Sequence, residues 1–465
     1  MLHPIPAWKS RSKVTMNSSL KLAIEPLIDT SRVGRFQATV ILLCALVAMV
    51  DGFDTQAIAF VAPEIATAWG IDPSAFGMTF GAGLLGGLVG AMVFGMAGDR
   101  VGRKPALLVA VSLFAVSTLL TPLVENISQL NAVRFITGLG LGGAVPSFIA
   151  LTSEYAPKRL RVTMVGVMFC GFPLGAVLGG ATAAKLIPAF GWQSVFIAGG
   201  LFPLIILPLF MTLVPESVRF LAIKRDKAAI LRVLTRMNLA ESWDGSMDAP
   251  KEEDRTPVAR LFTNGKAAGT VLIWATLFLS LLMTYFLINW IPMVARQSGM
   301  SIQTSVIAVV MLNLGAIAGC LSVGRLVDRF GPVAPISTAF ALGSVAIAAT
   351  SYASSSSALL FALTFFTGFM SIGAQMCTVA LCASFYDTAE RATGVGWSIG
   401  IGRVGAIVGP VLGGVLLAAG AGVPLLFLIV GLTSLGAALS VLALGRFALS
   451  RNLAKVKSST GSSAY

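Results

Sequence analysis

The chain has 465 residues, of which 56% are hydrophobic and only 11% charged, and its mean hydropathy is +0.86. Soluble proteins carry about 25% charged residues, so this chain cannot clothe a water-facing surface. A soluble enzyme, a disordered tail and a nucleic-acid binder are all excluded. The net charge of +13 is then a question of membrane topology before it is one of polyanionic partners. Five cysteines (Cys44, Cys170, Cys320, Cys377 and Cys382) fall inside apolar runs and imply no disulfide framework.

Residues 1–35 read as a largely polar tail, unstructured over 1–15, with Met16 as an alternative start. A membrane helix needs about 20 apolar residues to cross a hydrocarbon core of roughly 30 Å. Windows of that length predict spans at 36–60, 75–97, 106–124, 131–152, 162–186 and 192–214, then at 268–291, 303–325, 333–352, 356–382, 392–417 and 421–445. Helix is the expected state, because backbone groups in lipid must be satisfied within the segment. The first apolar run is too long for a signal-peptide core, so no cleavable signal is expected. The connection 215–266 holds ten basic and eight acidic residues and divides the spans six and six, and 447–465 forms a second polar tail. The fold class is therefore an all-α membrane protein of twelve helices, with bundles at 36–214 and 267–446.

With both termini and the 215–266 connection in the cytoplasm, 29 of the 33 Lys and Arg lie on that side. Lys185 and Arg296 sit at the outer face, while Arg134 and Arg403 fall in apolar runs. This bias predicts an N-in, C-in orientation.

The halves repeat. Gly95-Met-Ala-Gly-Asp99-Arg100-Val-Gly102-Arg103-Lys104 after span 2 returns as Gly324-Arg-Leu-Val-Asp328-Arg329-Phe-Gly331 after span 8, at an offset of 229. At an offset of 230, Phe135-Ile-Thr137-Gly138 matches Phe365-Phe-Thr367-Gly368, and Gly175 and Gly179 match Gly405 and Gly409. Parallel six-helix repeats with a site near the midplane are one design of secondary transporter. These motifs, with Arg134 in span 4, resemble the major facilitator superfamily. Pro215-Glu216-Ser217-Val218-Arg219 resembles the PESPR element of its sugar and organic-acid porters. More narrowly, Asp51-Gly52-Phe53-Asp54-Thr55-Gln56-Ala57 in span 1 and Gly394 to Pro410 in span 11 resemble the aromatic acid:proton symporters.

Charge inventory selects the candidate residues. Of 20 acidic residues only Asp51 and Asp54 lie inside a span, and the single histidine, His3, is in the tail. A charge at the bilayer centre costs about 2.5–3.5 kcal/mol, which makes this pair the expected proton carrier; the competing reading is a polar lining of a wet cavity. Arg134 starts span 4 in the same outer half and is expected to neutralise one aspartate, unless it only snorkels to the interface. Arg403 stands mid-span with Pro173 as its repeat counterpart, and suits a bidentate grip on a carboxylate or a structural bond to neighbouring carbonyls. Gln375, Asn289, Tyr285 and Trp397 are candidate substrate contacts, although Tyr285 to Trp290 is also where an interfacial aromatic belt would sit. Asp99, Arg100, Arg103, Glu154 and Arg161 in the first half, with Asp328 and Arg329 in the second, are expected to form a cytoplasmic gate.

The resemblance implies import of a hydroxybenzoate-like carboxylate with protons, in a bacterial inner membrane, by a chain working as a monomer. No GxxxxGK[ST] motif, catalytic triad or metal cluster is present in the sequence, so no enzyme activity, cofactor or metal is expected. The alternatives are a proton-coupled exporter of the same superfamily and a symporter of a non-aromatic organic acid.

Overall fold

The computed structural model describes residues 24–245, 257–263, 265–353, 356–387 and 390–461; residues 1–23 of the expected tail 1–35 lie outside them. A short helix α1 (Ile24–Thr30) precedes the first bundle of α2 (Arg35–Trp69), α3 (Phe76–Val101), α4 (Arg103–Leu120), α5 (Ile127–Tyr155), α6 (Arg161–Phe169), α7 (Gly171–Phe190) and α8 (Gln193–Leu213). The connection carries α9 (Val218–Ile223) and α10 (Lys227–Arg236). The second bundle comprises α11 (Ala267–Gln297), α12 (Ile302–Phe330), α13 (Val333–Thr350), α14 (Ser357–Thr367), α15 (Gly373–Phe385), α16 (Arg391–Ala418) and α17 (Val423–Gly461). Twelve crossings result, because α6 and α7 form one span, and a π-helical turn at Gly368–Ile372 joins α14 to α15. Each predicted span has its helix. The helices overrun the predicted ends, α2 by nine residues and α17 through residues 446–461, since apolarity marks membrane depth and not where a helix stops.

The internal repeat is also a repeat of contacts. A Cβ on Gly86 would sit 2.1 Å from the Phe135 carbonyl oxygen, and one on Gly315 would sit 2.0 Å from that of Phe365. Gly175 against Met49 (1.8 Å) corresponds to Gly405 against Phe278 (2.1 Å) in the same way. Small residues at these positions let helix backbones touch where lipid supplies no hydrophobic drive. The two bundles therefore share one packing scheme, with α2, α5 and α7 answering to α11, α14 and α16.

The connection is not a free tether. Val218, Leu221, Ile230, Val233 and Leu234 join the apolar core of the first bundle, and Arg236 lies over the Phe36 ring at 4.7 Å. Glu216 explains the Pro-Glu-Ser element: its Oε1 accepts the backbone N–H groups of Arg103 (2.8 Å) and Lys104 (3.1 Å). These are orphan donors at the start of α4, whose cap residue Gly102 has no side chain to offer.

The bundles meet at the end remote from this connection. Gly180 late in α7 packs on Val310 early in α12, and Gly77 early in α3 on Gly414 late in α16. Phe80 and Trp290 cross the interface with ring centroids 5.6 Å apart, and Arg296 Nη2 lies 3.3 Å from Glu64 Oε1. At the connection end, each ion pair among the described residues stays within one bundle.

Candidate functional site

Asp54 is fully buried. Its Oδ2 lies 3.3 Å from Nη1 of Arg134 on α5, and its Oδ1 accepts from the Thr118 hydroxyl of α4 at 2.7 Å. Arg134 is 3% exposed and donates from Nη2 to Thr137 (3.1 Å) and Thr121 (3.4 Å). The Phe196 ring of α8 lies 5.1 Å from the guanidinium carbon. Four helices thus close on one ion pair, which survives burial because both charges have partners. One donor is left over: Arg134 Nε is buried without a hydrogen bond. The pairing that chain order makes possible is present, and Asp54 supplies it.

Asp51 goes elsewhere. Three residues along a helix leave it about 60° around from Asp54, enough to change its neighbours. It is half-buried, accepts from the Thr55 hydroxyl at 3.2 Å, and feels the charge of Arg403 from the opposite bundle. Tyr285 on α11 feels both Arg403 and Asp51. Asp51, Tyr285 and Arg403 therefore form one electrostatic group drawn from α2, α11 and α16. Among the described residues, Arg403 acts on an acid across the interface, Asp51 on α2.

The remaining substrate candidates are less gathered. Asn289 is buried and donates to the Tyr285 carbonyl at 2.7 Å, tying it to the same turn of α11. Gln375 is half-buried and follows the π-helical turn by three residues; such turns re-aim the side chains beyond them. Trp397 is 47% exposed and stacks on Trp274 at 6.2 Å. Six residues separate it from Arg403, which turns it about 120° away.

At the connection end Arg103 pairs with Asp99 within α3–α4. Glu154 accepts from the Ser217 hydroxyl at 2.6 Å, and Arg161 binds Asp29 at 2.6 Å and the Ser153 carbonyl at 2.9 Å. Arg100 and Asp328 are exposed, and Arg329 lies over its neighbour Phe330. The second bundle has a cluster that the sequence reading passed over: Lys266 reaches Asp387 at 2.6 Å and Glu390 at 2.5 Å. Burial opposes the Lys266 charge, but its bonds to the two carboxylates outweigh this and hold the ammonium above its ordinary range. Thr118, Thr121 and Phe196 were also unread, and Thr137 entered only as part of the repeat; hydroxyls and rings are too common in spans to signal a site without their neighbours.

The Major Facilitator Superfamily model matches residues 44–354 and 273–463. The chain is 38% identical over 425 residues to a gallate transporter of Pseudomonas putida, covering 91% of this chain and 95% of that one. It is 38% identical over 405 residues to the 4-hydroxybenzoate transporter PcaK of Pseudomonas aeruginosa (86% and 90% covered). A 3-(3-hydroxy-phenyl)propionate transporter of Escherichia coli is 37% identical over 380 residues (82% and 87% covered). Among solved structures, the partially occluded inward-open xylose transporter XylE from E. coli has a TM-score of 0.68 at 16% identity, covering 87% of this chain and 98% of that chain. A bacterial homologue of the human lysosomal transporter Spinster, inward-facing and unoccupied, scores 0.66 at 16% identity, with 90% and 95% covered.

Proposed function

The chain belongs to the major facilitator superfamily, a family of transporters and not of enzymes, and we propose that it imports an aromatic carboxylate with protons by alternating access. The relatives named for gallate, 4-hydroxybenzoate and hydroxyphenylpropionate support the substrate class. The observation that carries the coupling is the buried Asp54–Arg134 pair, sealed by four helices beside a second acid that answers to Arg403. In this reading the connection and both termini face the cytoplasm of a bacterial inner membrane. The bundles are then shut outside and parted inside, an inward-facing state in which the cytoplasmic pairs have come apart between bundles.

Outside, Arg403 takes the substrate carboxylate in its fork. The anion competes with Asp51 for that guanidinium, so substrate binding leaves Asp51 to be neutralised by a proton. Asp54 exchanges its proton against Arg134 as the bundles rock, with Phe196 and the threonines holding the guanidinium while the acid is neutral. One proton with one monoanion is electroneutral; a second proton would add drive of about 2.3 kcal/mol per 100 mV.

The test places purified protein in liposomes holding a pH dye and adds a panel of aromatic and aliphatic carboxylates outside, with protein-free liposomes setting the passive rate. Lumen acidification by an aromatic acid above that rate is expected. Acidification by aliphatic acids alone would overturn the substrate class. Transport of labelled acid accompanied by lumen alkalinisation would mark an antiporter.

A further inference from the structure

Among the described residues, the outer closure contains a polar joint buried between the bundles. Gln56 on α2 is fully buried and Asn313 on α12 is 5% exposed. Gln56 Nε2 donates to Asn313 Oδ1 at 3.1 Å, and Asn313 Nδ2 donates back to Gln56 Oε1 at 2.9 Å. The second N–H of Asn313 donates to its own helix at the Val309 carbonyl, 2.9 Å away. That bond fixes which way the Asn313 amide faces, and the reciprocal pair then fixes Gln56, because a flip of either would set oxygen against oxygen. Around the joint, contact is apolar: Gly180 on Val306 and Val310, and Phe80 on Trp290.

We infer that Gln56 and Asn313 are positioning residues of the transport cycle, a double amide clasp that holds the outer side closed and must part before substrate can enter. The inference rests on the alternating-access reading. A buried amide is costly to leave unpaired, whereas water or a polar substrate group can satisfy it once the bundles separate. The clasp therefore favours the state shut outside, and loosening it moves the population toward the outward-open one. Each neutral hydrogen bond shifts an equilibrium roughly threefold to tenfold, so losing two shifts it at least tenfold. Gln56 stands five residues after Asp51 and two after Asp54, so the helix that carries both acids also carries half of the clasp.

The experiment reports on the outer interface with Val306→Cys, fully buried here, in a background lacking the five native cysteines. A membrane-impermeant thiol reagent is applied from outside. Gln56→Leu and Asn313→Leu should each raise the labelling rate at least tenfold. The exchanged pair Gln56→Asn with Asn313→Gln keeps the number of methylenes across the joint and should return labelling to within about twofold of the parent. Unchanged labelling in both single variants overturns the clasp, as does an exchanged pair that labels like the singles while remaining monodisperse. Labelling requires no substrate. Failure of every aromatic acid to move would count against the substrate reading, and an altered labelling rate would still support the clasp.

Discussion

Asp54→Asn tests the coupling pair directly. At 3.3 Å the Asp54–Arg134 attraction is about 5 kcal/mol at an effective dielectric of 20. Removing one partner of such a pair costs roughly 3–5 kcal/mol, because the other charge is left buried and uncompensated. The Phe196 ring lies over Arg134 with or without the carboxylate and so offsets none of this loss, which stands near the upper end of single-substitution effects and should be read as a lowered melting temperature. Asparagine mimics the protonated acid and still accepts from Thr118, but it cannot release a proton. Labelled acid should therefore exchange with unlabelled acid across the liposome wall at a rate near wild type, while uphill accumulation disappears. A pH difference of two units drives about hundredfold accumulation per coupled proton, so wild type and variant should differ by about that factor. Adding Arg134→Gln should recover thermal stability without recovering accumulation. Equal accumulation by Asp54→Asn would remove this residue from coupling, and loss of exchange in a monodisperse variant would make it a structural residue.

Arg403→Lys keeps the charge but not the planar fork, and should raise KM for an aromatic acid roughly tenfold to hundredfold, the worth of about 1.5–3 kcal/mol for a charged hydrogen bond; an unchanged KM would free Arg403 from the carboxylate. Gly52→Ala would drive a Cβ to within 1.9 Å of the Phe172 carbonyl oxygen, so it should abolish monodisperse expression by prising α2 from α7, and normal gel filtration would contradict that packing. Lys266→Met strands Glu390, 11% exposed, beside α16, and should lower the melting temperature by several degrees. Since the Lys266 ammonium is held above its ordinary range, its contribution is fully present below about pH 10.5 and fades only as pH rises beyond that; the Lys266→Met difference in melting temperature should thus be flat from pH 6 to 9. Glu64→Gln breaks a pair whose members are 28% and 40% exposed and should change uptake less than about twofold, as exposed pairs contribute about 1 kcal/mol or less.

The spans, their number and the repeat were legible because the bilayer imposes a length and a polarity on every crossing, and because glycine contacts at Gly175 and Gly405 require the same small residue twice. Asp54 and Arg134 were legible for the same reason: a charge in an apolar run has few explanations. The grouping of Asp51 with Arg403 was not, since the residues belong to different halves and only the docking of α2 against α11 and α16 brings them together. Trp397 was legible only as a type of residue. A tryptophan in a span reads equally well as a cavity wall or as part of a ring stack, and the ring it meets, Trp274, lies 123 residues upstream. Glu216 was read as a family element, yet its physical task, capping α4 from a distance, appears only when the connection is seen folded onto the first bundle.

The same symmetry that builds the fold makes its asymmetries informative. Inside the apolar spans the halves match in glycine contacts, which carry no chemistry. There they differ in charge: Arg403 answers to Pro173 and Arg134 to Thr364, so each bundle carries a guanidinium at a position where the other has none. Asp54 pairs with the guanidinium of its own bundle, and Asp51 feels the charge of the guanidinium of the opposite one. A single helix, α2, therefore presents one acid to each. In the proposed cycle, movement of α2 between the bundles would alter both pairings at once, so a proton at Asp54 and a carboxylate at Arg403 would need no long relay to be coupled.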